Sequence, residues 1–237
     1  MNETQNTAFR DCSRGNYRAL GLSEWDLGPV TSLESTPAGV SQAALDSTGY
    51  EAVGIEEIVT EEKVEVAGQS EVIAATSYLA EYERRVGINE VAEQATAIFG
   101  VLSTPKLELA GRTLNPVGEM SAREVVDLIG DSYESIDSIE HVSDEMITIL
   151  DQSTTRSRFV AEADFAGLPI DLDIHVSEAV ERGEDLLVSI GVYPRLYRGL
   201  EGDNARTLAE AITAEPATEP DSNDSSGDGS DGLLDSL

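Results

Sequence analysis

The sequence predicts an α+β fold: a mostly antiparallel twisted sheet packed by two or three helices and followed by a disordered acidic C-terminal tail. Three observations carry that expectation. The first is an array of strand patterns between residues 158 and 193. Phe159, Ala161, Ala163 and Phe165 alternate with Val160, Glu162 and Asp164, and Ile170, Leu172, Ile174 and Val176 alternate with Asp171, Asp173, His175 and Ser177. A period of two with one apolar face is the pattern of a half-buried strand, and a slip of one residue would exchange the faces. Residues 186–193 are nearly continuously apolar, as expected of a central strand covered on both sides. The second observation is a recurring turn: Val-Ala-Gly-Gln at 66–69, Leu-Ala-Gly-Arg at 109–112 and Phe-Ala-Gly-Leu at 165–168. Each places glycine where a tight hairpin needs positive φ, and hairpins join antiparallel neighbours. The third is a capping box, Ser121 with Glu124, opening a helix over 122–133 whose apolar side is Val125, Val126, Leu128 and Ile129.

Taken in order, residues 1–38 lack periodicity and read as an irregular arm, residues 39–213 as a single domain, and residues 214–237 as a disordered tail. Within the domain, Ser41 and Gly49 bracket a short helix as N-cap and stop. Strands are expected from residue 50 onward, again at 98–103, and at 146–150 after a polar connection. Asp203 or Asn204 can cap a final helix over 205–213, with Leu208 and Ile212 facing the sheet. The stretch 215–232 contains no base, no aromatic residue and no aliphatic side chain larger than alanine, so it cannot build a core.

Charge narrows the function classes. The chain of 237 residues carries 46 Asp and Glu against 15 Lys and Arg, a net charge of -31, and Lys63 and Lys106 are its only lysines. Acid in place of lysine is the composition of proteins that work in molar salt, where the screening length falls to about 3 Å. A halophilic protein is expected. The same balance excludes the basic face that nucleic acid requires. Apolar runs are of strand length, too short to span a bilayer. The N-terminal residues lack a charged segment followed by an apolar one, so the chain as written reads as cytoplasmic. Cys12 stands alone, which excludes an internal disulfide.

Two constellations offer chemistry. Glu162, Asp164, Asp171, Asp173 and His175 gather on one face of adjacent strands, where a divalent metal site or a paired-acid hydrolase is conceivable. Any solvent-facing strand in so acidic a chain collects carboxylates, however, and on that reading Asp173→Ala is near neutral while Ile174→Asp abolishes folding. Tyr193, Arg195, Tyr197 and Arg198 cluster just after the last strand and suit an anion or partner contact through arginine geometry. Weaker features are Arg10, Arg14 and Arg18 spaced by four, an isolated His141, and a loose echo of a calcium loop at 224–235 that lacks its closing Glu. No Ser-His-acid order, phosphate loop or dinucleotide motif is present. The reading is a non-enzymatic binding or interaction domain without cofactor, for an unknown protein or small-molecule partner.

Certain words of the sequence are specific in combination: Thr-Gly-Tyr-Glu-Ala-Val-Gly at 48–54, Tyr-Leu-Ala-Glu-Tyr at 78–82, Leu-Ser-Thr-Pro at 102–105, Asn-Pro-Val-Gly-Glu-Met-Ser at 115–121, Ile-His-Val at 174–176 and Gly-Val-Tyr-Pro at 191–194. Over about residues 36 to 213 the chain resembles a family of haloarchaeal proteins of unknown function. Many members look like lipoproteins, which implies peripheral association with the outer cell surface if the true start lies upstream; here Cys12 follows Ala-Phe-Arg-Asp instead of an apolar segment. The resemblance implies no activity, cofactor or catalytic residue. The order of strands and helices is also similar to the α/β/α sandwich of the photosystem accessory protein PsbP and Ran-binding Mog1.

Overall fold

The computed structural model describes residues 30–66, 69–85, 96–106, 108–109, 112–113, 136–165 and 168–214. The expected helix over 122–133, the N-terminal arginines, Cys12 and the acidic tail lie outside these residues. In chain order the elements are β1 (Val30–Glu34), β2 (Gly39–Val40), α1 (Gln42–Thr48), β3 (Glu51–Val66), β4 (Gln69–Arg85), β5 (Thr96–Pro105), β6 (Glu108–Leu109) and β7 (Arg112–Thr113). There follow β8 (Ile136–Ile149), β9 (Gln152–Phe165), β10 (Leu168–Ser177), β11 (Val180–Arg182), β12 (Asp185–Pro194), a 3-10 turn (Arg195–Tyr197), α2 (Arg198–Glu210) and β13 (Ile212–Thr213).

The three Ala-Gly turns each close a hairpin with a two-residue loop. Val66 pairs with Gln69, Leu109 with Arg112 and Phe165 with Leu168. While β6 and β7 form a two-stranded ladder of their own, the first and third of these hairpins belong to one mixed sheet in the order β1-β4-β5-β12-β10-β9-β8, with β3 alongside β4 and β11 alongside β12. Its one parallel pairing among the described residues is β1 with β4. Residues 30–38 are therefore not an irregular arm throughout: β1 joins the sheet, and Ala38 is buried in the main core.

Helix α1 matches its expected limits. Gly49 takes φ 73° and donates its N–H to the Leu45 carbonyl, the left-handed stop that glycine makes without strain. Ser41 holds the N-cap position but makes no side-chain cap bond. Helix α2 departs from expectation. It begins at Arg198, well ahead of the Asp203 and Asn204 caps, and ends before Ile212, which pairs as strand β13 with Val40. Gly199 and Gly202 argue against a helix locally, and tertiary contacts override them: Glu201 and Leu208 of this helix are fully buried. Strand β8 is also longer than expected. The polar stretch before Met146 is part of it, an edge strand interrupted by two register shifts and by Ser138 at φ 56°.

Both faces of the sheet centre are covered. On one face α1 and α2 pack against Tyr82, Phe99, Val101, Ile147, Ile149 and Leu187. Burying a side chain such as Leu208 there contributes about 1.5–3 kcal/mol. Gly191 lets α2 approach, since a Cβ at that position would stand 3.3 Å from the Ala205 Cβ. On the other face Phe159, Ala161, Ile174, Val176 and Val188 form a second cluster. Strand β12 is the nearly continuously apolar central strand that its sequence implies. Strand β10, in contrast, is not polar-out: Asp173 is 0% and His175 6% exposed. The polar half of its alternation faces the helix layer.

A buried carboxylate ringed by arginines

Strand register builds the site. The hairpin at 165–168 sets Asp173 opposite Val160, His175 opposite Arg158 and Ser177 opposite Arg156. On the other flank of β10, Asp173 lies opposite Tyr193 and His175 opposite Gly191. The chain leaves β12 at Pro194, turns through Arg195–Tyr197 and enters α2, which swings Arg195 and Arg198 back over the end of β10. Three guanidinium groups from three segments thus converge on the Asp173 carboxylate.

Arg198 holds it with two hydrogen bonds, Nε to Oδ2 at 2.5 Å and Nη2 to Oδ1 at 2.8 Å, the parallel fork that fits a planar carboxylate. Arg195 Nε stands 3.6 Å from Oδ1 and Arg158 Nη1 3.8 Å from Oδ2. These are ion pairs beyond hydrogen-bond length, and both nitrogens are buried and without a hydrogen-bond partner. Arg195 also reaches the exposed Asp171 at 3.2 Å. The arginine side chains are 22% (Arg158), 34% (Arg195) and 45% (Arg198) exposed. The cluster therefore opens to solvent on its arginine side and is closed on its aspartate side.

Beneath it His175 stacks on Tyr193, ring centroids 5.5 Å apart, with His175 Nε2 2.6 Å from the Tyr193 hydroxyl. Burial, then Arg156, Arg158 and Arg198, push the His175 pKa down to about 3. Burial and then the Asp173 charge push Tyr193 up to about 12. Both groups are neutral near neutrality, and His175 Nδ1 has no hydrogen-bond partner. Such a histidine is too weak a base for general-base work at neutral pH. Alongside, Arg156 is buried, donates to Glu145 at 2.8 Å and reaches the Gly202 carbonyl of α2 at 3.4 Å. A second buried carboxylate, Glu201, bonds Arg84, the Tyr50 hydroxyl at 2.9 Å and Asn204 at 3.3 Å. Burial, reinforced by that carboxylate, drives the Tyr50 pKa far above its ordinary value.

The two expected constellations merge, with corrections to each. Asp173 and His175 are buried, so they offer no solvent-facing acidic surface, and the Asp173 oxygens are taken by guanidinium groups. Glu162 and Asp171 do pair across the strands, while Asp164 lies opposite Pro169, two positions further from Asp173. Among the described residues no group of three or more His, Cys, Asp or Glu could hold a metal ion. Of the contact candidates, Arg195 and Arg198 belong to the cluster. Tyr193 is 1% exposed and is an internal support for His175, and Tyr197 packs partly buried against the main core. Arg158 completes the cluster, Arg156 stands alongside it, and Glu201 with Arg84 forms a separate buried group. The strand register alone places Arg158 beside His175, so that member was legible once the turn was recognised.

His141, Asp144 and Ser157 also meet at the β8–β9 edge. The order is wrong for nucleophilic catalysis, because Ser157 Oγ and His141 Nε2 both bond the same Asp144 oxygen at 2.7 Å. No imidazole stands against the hydroxyl. The Ser157 bond and then His141 hold the Asp144 carboxyl below the usual range.

A family described as a domain of unknown function, DUF6517, matches residues 37–213. The chain belongs to this family. The DUF6517 domain runs from the end of the β1–β2 connection through β13 and contains the whole arginine cluster. No curated protein matches the sequence. Among solved structures, PA94 of Pseudomonas aeruginosa, a protein of unknown function, aligns with a TM-score of 0.36 at 9% identity, covering 66% of this chain and 99% of that one. Cyanobacterial PsbP (CyanoP) of Synechocystis aligns with a TM-score of 0.37 at 13% identity, covering 82% and 98%. Likenesses this distant carry no argument about this DUF6517 chain. Among its described residues no helix is long and apolar enough to cross a membrane.

Proposed function

We infer that this domain is a non-enzymatic binding module that takes an anionic ligand or partner at Arg158, Arg195 and Arg198. One observation carries the reading. In a chain of net charge -31, three guanidinium groups gather around a single fully buried carboxylate, and two of their buried nitrogens have no hydrogen-bond partner. Even with the exposed Asp171 counted, the cluster keeps an excess positive charge, and arginine presents forks that match carboxylate and phosphate oxygens. Asp173 fixes the arginines in place and leaves their outer N–H groups to solvent. Among the described residues nothing adjacent supplies a nucleophile with a base, which supports binding over catalysis. The acid excess supports work in molar salt, and together with the family resemblance it supports a haloarchaeal source with peripheral attachment to the cell surface.

Calorimetric titration of the full chain with inorganic phosphate in 2 M KCl, the salt chosen for about 3 Å screening or less, tests this. Stoichiometric binding is expected, weaker by about tenfold, or 1.4 kcal/mol, in Arg195→Ala and unchanged in Arg85→Ala. Asp173→Asn, which frees the arginines, is expected to bind more tightly than wild type. Equal heats in wild type, Arg195→Ala and Arg85→Ala would overturn the assignment.

A further inference from the structure

The segment that carries two of the arginines also exposes two large apolar side chains. Leu196, 79% exposed, is the most exposed large hydrophobic side chain among the described residues, and Leu200, 52% exposed, lies one turn on. Arg195 and Arg198 interleave with them in the same six residues. An inorganic anion uses the arginines alone, whereas an occupant offering carboxylates and aliphatic side chains together uses both features.

The chain contains such a segment. Residues 215–237 carry seven acids, Glu215, Glu219, Asp221, Asp224, Asp228, Asp231 and Asp235, with no Lys or Arg. Near their end Asp231 and Asp235 bracket Leu233 and Leu234. Acid, leucine, leucine, acid is the complement of arginine, leucine, arginine, leucine. Geometry allows the match in cis. The described residues end at 214, just past α2, and a 13-residue helix places its first residue about 20 Å from that point. The chain from 214 to 233 can reach at most about 65 Å, which exceeds that separation.

We propose that the acidic segment around Asp231–Asp235 docks in cis on the surface formed by Arg195, Leu196, Arg198 and Leu200, where it competes with external anionic partners. The proposal rests on the anion-site reading above and names the site's resident occupant. Carboxylates on an exposed surface bind weakly per contact, so an external partner with stronger anionic groups displaces the segment. The tail thereby sets the affinity threshold of the site.

Disulfide trapping in the full chain tests this in a Cys12→Ser background. Gly199→Cys lies between the two leucines with nothing within 4 Å of its new Cβ, and Gly232→Cys leaves the tail leucines intact. Gly54→Cys on β3, equally open, is the control partner for Gly232→Cys. Intramolecular crosslinking of the 199–232 pair is expected to run about tenfold faster than that of the 54–232 pair, an excess set by docking. Adding Asp231→Asn and Asp235→Asn removes that excess. Equal rates for the two pairs, no response to the asparagine changes, or crosslinks that are mainly between molecules would each overturn docking in cis. Phosphate titration of the same proteins separates the two readings. Arginine-dependent phosphate binding without preferential crosslinking leaves the anion site standing and removes the tail. No phosphate binding even in the asparagine variant removes the site.

Discussion

Replacing Asp173 with asparagine leaves the shape of the side chain and removes the charge that three arginines share. Deleting one partner of a buried ion pair costs about 3–5 kcal/mol, because the survivor is left uncompensated in a poor dielectric. Here the survivors are 22%, 34% and 45% exposed, so water and salt recover part of that loss, as they do for surface pairs worth about 0–1 kcal/mol. The expected cost is about 2–3 kcal/mol, between those limits. Asp173→Ala adds a small cavity and costs more. Arg198→Ala costs less than either, since Asp173 keeps Arg158 and Arg195. Urea unfolding followed by circular dichroism in 2 M KCl, where the screening length is under about 3 Å, gives all three values. If Asp173→Asn stays within about 0.5 kcal/mol of wild type, as surface substitutions do, then Asp173 does not organise the arginines and the solvent-facing reading of β10 returns.

Further outcomes follow from other parts of the molecule. His175 has its pKa depressed to about 3 from an unfolded value near 6.5, so the folded state favours the neutral ring. Its contribution is complete above about pH 6.5 and shrinks as pH falls toward 3, by about 1.4 kcal/mol per unit. His175→Gln is therefore expected to flatten the acid limb of a stability profile by that slope, and parallel limbs would contradict it. Ile174→Asp places a charge in the second apolar cluster, where it is fully buried, and is expected to prevent folding; a native far-ultraviolet spectrum would refute it. Melting temperature is expected to rise from about 0.1 to 2 M KCl as the screening length falls from about 10 Å to under 3 Å, and a flat profile would separate the acid excess from salt adaptation.

The sequence was most informative where backbone chemistry is local. The hairpin pairings on either side of the Ala-Gly pairs, the Gly49 stop and the apolar run of β12 follow from turn composition, left-handed termination and burial on both faces, none of which needs distant information. It was least informative where a polar residue is buried by an element far away in sequence. Alternation in β10 is the same whether Asp173 and His175 face water or a helix layer. What decides between these is the return of α2 over the strand, and α2 carries two glycines and no side-chain cap. The start of β8 was missed for a related reason: an acidic, bulged edge strand has neither an apolar face nor an unbroken period. Arg195 and Arg198 were visible as a cluster, but their shared partner lay more than twenty residues upstream in a strand already assigned to solvent.

The position of β12 has a consequence for how the molecule is made. It is the last long strand among the described residues, yet it separates β5 from β10 in the sheet. Until residues 185–194 have been synthesised, the β3–β4–β5 hairpins and the β8–β9–β10 meander share no ladder, and each exposes an unpaired inner edge. Such edges invite pairing with other chains. Contacts that span so much sequence also close slowly. Nascent chains are accordingly two half-sheets waiting for a keystone. A chain halted before residue 185 would be an association-prone intermediate, and only a chain with residues 185–213 free to fold would close its sheet.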